Sequence, residues 1–139
     1  MITEDYVSFE TAKLLREKGF DCACKVWYSE YTSQFGGEKY TSIEFDNHNK
    51  FNENYKFICS APTLQMAMKW LREVHKIYIQ VVPLVPEYYE KDEYVYRFQY
   101  KRLKHIPIYD KMAYIDDTQY ITYEKACDAA IKYCLENLI

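Results

Sequence analysis

Five cysteines and three histidines are the side chains of this sequence best suited to hold a metal or attack a substrate. Cys22 and Cys24 are separated by one residue, one fewer than in a zinc knuckle, and no second Cys or His pair lies at a suitable distance. Alternate positions along a strand explain the pair better. Cys127 and Cys134 sit seven apart on the apolar face of a helical pattern, where thiols serve as small core fillers. His48, His75 and His105 belong to no HExxH and to no nucleophile elbow of the GxSxG kind. His75 falls near the end of a helical pattern, where a cation is favoured by the helix dipole. The run Asp46-Asn47-His48-Asn49-Lys50 departs from a calcium loop, because Lys50 stands where an acid is needed and no glycine follows. With three glycines in all, the chain carries neither GxGxxG nor a phosphate-cradling GxxxxGK[ST]. No catalytic, cofactor-binding or metal-ligating set is assigned, and no cofactor is expected.

Two stretches suit binding instead. In Tyr96-Arg97-Phe98-Gln99-Tyr100-Lys101-Arg102-Leu103-Lys104-His105, bases would stack on rings while Arg97, Lys101 and Arg102 meet phosphates. Alternation works against this, since Tyr94, Tyr96, Phe98 and Tyr100 share one face while Val95, Arg97, Gln99 and Lys101 share the other. The favoured reading is an amphipathic strand with its aromatics under helices and Arg97 and Lys101 in water. Tyr88 and Tyr89, flanked by Glu87, Glu90, Lys91 and Asp92, suit contact with a protein partner from an exposed turn. Trp70, at the edge of a helical stripe, is either core or an interface anchor, with core the safer reading.

The elements that must position these residues follow from periodicity and punctuation. Ser8 caps a helix over 8 to 18 with Phe9, Ala12 and Leu15 on one face and Gly19 beyond its end. Cys22 to Tyr28 and Tyr40 to Phe45 read as strands that pair as a hairpin through Gly36-Gly37. The Asn-rich stretch Asp46 to Asn54 reads as a loop leading to a third strand, Tyr55 to Cys59, paired with the second. The strongest helix starts near Ser60, with Pro62 in its first turn. It carries Leu64, Ala67, Met68, Leu71 and Val74 on one face and ends near Lys76. Ile77 to Val85 reads as a strand ended by Pro83 and Pro86 or lying at a sheet edge. A turn over Glu87 to Glu93 leads to the strand 94–103, with a further extended piece around Met112 to Ile115. Thr122 caps a last helix of about 15 residues bearing Cys127, Ala130, Ile131, Cys134 and Leu138. The order αβββαββα predicts an α+β domain, an antiparallel sheet of about five strands with three helices mainly on one face. The two terminal helices open alike, Ser8-Phe9-Glu10 beside Thr122-Tyr123-Glu124, which capping chemistry explains without a duplication.

Composition sets the class. With 139 residues the chain suits a single domain, 1–139, that needs no disulfide or metal to stay folded. Apolar residues reach 49%, yet this count includes 16 Tyr, whose hydroxyls demand partners, so the core leans on tyrosine rings. A net charge of −3 supplies no field toward nucleic acid or an anionic membrane. No apolar run reaches the roughly 18 residues of a membrane helix, and the acidic start does not resemble a secretory signal. Five cysteines, an odd number, and no glycosylation acceptor imply reduced thiols and a cytoplasmic location.

Three stretches carry a likeness: Glu4-Asp5-Tyr6-Val7-Ser8-Phe9-Glu10-Thr11-Ala12-Lys13-Leu14-Leu15, Ala61-Pro62-Thr63-Leu64-Gln65-Met66-Ala67-Met68-Lys69-Trp70-Leu71-Arg72-Glu73-Val74-His75, and Tyr123-Glu124-Lys125-Ala126-Cys127 through Ile139. They resemble a family of small uncharacterised proteins of gut Bacteroidetes and their phages or integrated elements. The resemblance implies a cytoplasmic mobile-element accessory protein and supplies no catalytic residues. The leading expectation is a non-enzymatic binding or interaction protein, with a protein or a second copy as partner and no membrane contact. Nucleic-acid binding through 94–105 is the alternative, and an enzyme whose Glu, Asp or Cys residues gather in a cleft is the third.

Overall fold

The computed structural model describes residues 1–29, 38–50, 58–84, 94–103, 114–115 and 117–139. The chain divides into two compact units, Met1–Ala67 with Ile139, and Met68–Leu138. The class is α+β and the order αβββαββα, as expected, but the strands form two three-stranded antiparallel sheets where one was expected.

The first unit opens with α1 (Phe9–Glu17). Ser8 Oγ accepts the Thr11 N–H at 3.3 Å, and Gly19 adopts φ 87 just past the helix, the left-handed turn that lacks a Cβ penalty. β1 (Cys24–Ser29) pairs with β2 (Glu38–Asp46) as the expected hairpin, but it also pairs with β3 (Ile58–Ser60), giving the order β2-β1-β3. The expected pairing of β2 with β3 is therefore corrected, and the Asn-rich loop is the reason. A 3-10 turn over His48–Lys50 pins the chain across β1. Within it Asn49 Oδ1 accepts the Ser60 N–H at 2.9 Å, Asn49 Nδ2 donates to the Phe20 carbonyl at 2.7 Å, and the His48 N–H donates to Ser60 Oγ at 2.9 Å. That engagement also corrects the start of α2 (Leu64–Val74): Ser60 is spent in the sheet, and Thr63 Oγ1 accepts the Met66 N–H instead. The helix ends where Lys76 turns left-handed at φ 57 and returns its ammonium to the Glu73 carbonyl at 2.8 Å.

In the second unit β4 (Ile77–Leu84) pairs in unbroken register with β5 (Val95–Arg102), which also pairs with β6 (Tyr114–Ile115). Pro83 lies inside β4, tolerated because β4 is an edge strand. Thr122 caps α3 (Tyr123–Asn137) by accepting the Lys125 N–H at 3.1 Å, and α3 packs on β4 and β5. The core here is aromatic: Phe98 lies 5.9 Å and Tyr100 5.7 Å from the Tyr133 ring, and Tyr120 lies 6.1 Å from Phe98. Burying Phe98 alone contributes roughly 1.5–3 kcal/mol. The sheets differ in order, β2-β1-β3 against β4-β5-β6, so the likeness of the terminal helices does not extend to them. No helix among the described residues is long and apolar enough to cross a membrane.

Candidate functional site

The residues singled out from sequence are distributed as follows. Tyr88 and Tyr89 lie outside the described residues. Trp70 is 5% exposed and packs edge-on against His75 at 4.6 Å, so it belongs to the core. Arg97 and Lys101 share one face of β5, while Arg102, one residue on, donates to the Leu138 carbonyl at 3.3 Å. Phe98 and Tyr100 are buried, so those two rings are covered, while Tyr96 is half-buried and Tyr94 is 53% exposed. Arg97 departs from the expected solvated side chain: it is half-buried, and its Nε is enclosed without a hydrogen-bond partner among the described residues.

The first unit instead carries a cleft of about 380 Å³, at the lower end of the range for small-molecule sites. Four segments build it. An antiparallel bridge between Tyr6 and Thr63, with the Val7 N–H on the Pro62 carbonyl at 3.1 Å and the Leu64 N–H on the Asp5 carbonyl at 2.9 Å, holds the N-terminal strand beside the start of α2. This sets Glu4 and Tyr6 along one wall, with Pro62 and Met66 contributed by the loop and first turn of α2. The opposite wall comes from β1 and β2. Their register slips so that Ser42 to Phe45 stand opposite the single Lys25, pushing that part of β2 outward. As a result Ile43 is 95% and Phe45 65% exposed, and Phe45 leans over the cleft beneath the Lys25 ammonium, which lies 5.0 Å from its ring centre.

Glu4 and Lys25 both line the cleft, yet neither forms an ion pair with the other or with any described residue. Cys24 also lines it. Burial pushes the Cys24 thiol up to about 11, Cys22 adds to the rise, and a hydrogen bond with Ser60 offsets part. The His48 ring Nε2 lies 2.8 Å from the Cys24 carbonyl, which can only accept, so Nε2 is the donor of that bond. Trp27 locks the ring further, stacking on His48 at 5.8 Å and on Tyr40 at 4.6 Å. Among the described residues no three His, Cys, Asp or Glu side chains gather to hold a metal ion.

Sequence reading missed this cleft. Its lining comes from residues 4 to 66 with no repeating spacing, and the displaced stretch of β2 leaves no mark in a strand pattern. Only Thr63, an N-cap type ahead of an apolar helix face, carried a legible signal. In comparison with known proteins, the chain matches no family model, no curated protein and no solved structure.

Proposed function

We propose that the protein is a non-enzymatic binding protein and that the cleft of its first unit is the ligand site. The observation carrying this reading is the cleft itself: apolar walls from Tyr6, Phe45, Pro62 and Met66, with a charge of each sign in the lining that forms no ion pair among the described residues. Such a mixture of apolar lining and few polar groups is the usual composition of a binding pocket. A thiolate nucleophile finds no support there, since burial pushes the Cys24 thiol up to about 11. The proposed contact surface thus moves from Tyr88, Tyr89 and Trp70 to the cleft. An accessory role in a phage or integrated element, as the resemblance implies, suits a protein that binds without chemistry of its own.

Methionine-methyl NMR tests the reading, because Met66 lines the cleft while buried Met68 serves as an internal control. Added indole, a neutral apolar probe, should shift the Met66 methyl saturably and leave Met68 in place. Ala23→Trp, which fills the cleft from an exposed position, should abolish the shift. An unmoved Met66, or a shift that survives Ala23→Trp, contradicts the reading.

A further inference from the structure

The two charges lining the cleft say more about what it holds. A ligand of one charge would be met by an attractive and a repulsive group at once, whereas Glu4 and Lys25 together complement a molecule carrying both an ammonium and a carboxylate. They stay unpaired with each other although they line the same space, so both remain available to a third party. The start of α2 does not take over the anion-binding role. Its Leu64 N–H is already used by Asp5 and its Met66 N–H by Thr63, and of the cations near the cleft Lys25 lines it, while the Lys39 ammonium lies 5.3 Å from the Tyr6 ring centre. Most of the remaining lining is apolar, with Tyr6, Phe45, Pro62 and Met66 offering an aliphatic or aromatic group its contact area. The Lys25 ammonium lies over the Phe45 ring, which limits the rotamer freedom lost when it engages a ligand.

We propose that the cleft takes a free α-amino acid with an apolar side chain, its carboxylate at Lys25, its ammonium at Glu4 and its side chain against Phe45 and Met66. This rests on the reading of the cleft as the ligand site.

The test uses the full chain and three matched probes: phenylalanine, N-acetylphenylalanine, which lacks the ammonium, and phenylalanine amide, which lacks the carboxylate. Titration calorimetry should show phenylalanine binding about tenfold more tightly than either analogue, the factor of one charged hydrogen bond. Lys25→Met should erase the preference over the amide and keep the preference over the acetyl derivative. Glu4→Gln should do the reverse. Both positions are exposed, and the comparison of probes on the unaltered protein holds even if a variant folds poorly. Equal binding of all three probes, or indole binding without phenylalanine binding, overturns the amino-acid assignment and leaves the cleft as a site for neutral molecules. Failure of all four probes to move the Met66 methyl overturns both.

Discussion

Asn49 accepts the backbone N–H of Ser60 at 2.9 Å, joining the turn after β2 to the end of β3 across eleven residues of sequence. The same side chain donates to the Phe20 carbonyl at 2.7 Å, so one amide satisfies two backbone groups that no strand partner reaches. Asn49→Ala removes both bonds and should lower stability by about 1–3 kcal/mol, the cost of leaving buried backbone groups unpaired. Asn49→Asp retains the acceptor for Ser60 but loses the donor to Phe20, so it should fall between the two in urea unfolding. Equal stability of all three proteins would remove this clamp from the account.

Gly19 offers a cleaner test of local conformation. A Cβ placed there meets nothing within 4 Å, so the φ of 87 is the whole difficulty. Gly19→Ala should therefore destabilise by roughly 1–2 kcal/mol, the cost of a left-handed L-residue. An unchanged unfolding midpoint would show that α1 does not need this exit.

The buried thiols set a pH dependence. Burial pushes Cys127 up to about 11 and Cys134 up to about 12, beside Cys24 at about 11, from an ordinary value of 9.0. Well below pH 9 each thiol is neutral whether the chain is folded or not, and stability is unaffected. Above it the unfolded chain releases protons that the folded one retains, so stability should decline as pH rises from 9.0 through these values. Chemical denaturation at neutral pH and at about pH 10 should show a lower midpoint at the higher pH, and Cys134→Ala should narrow the gap. A midpoint independent of pH over that interval would contradict the assignment of these thiols to a dry core.

Much of the fold was legible because single residues announce it. Ser8, Gly19 and Thr122 mark helix ends by capping chemistry that depends on the nearest few residues alone. The alternation of β5 likewise placed Phe98 and Tyr100 under α3. What was not legible depends on partners far along the chain. Pairing of β3 with β1 rests on Asn49 reaching Ser60 and Phe20, and the same engagement removes Ser60 from the start of α2. The site was hidden for the same reason: Glu4, Lys25, Phe45 and Met66 share a cleft only after β2 slips its register against β1. Residues conspicuous by type, Trp70 above all, proved to be packing.

The central claim is that ligands enter the cleft of the first unit. Isotope-filtered nuclear Overhauser spectroscopy on labelled protein with unlabelled phenylalanine tests it most directly. The account predicts contacts from the ligand ring to the Met66 methyl and the Phe45 ring. Contacts to the sheet of β4 and β5 in their place, or no contacts under conditions where binding is saturated, would contradict it.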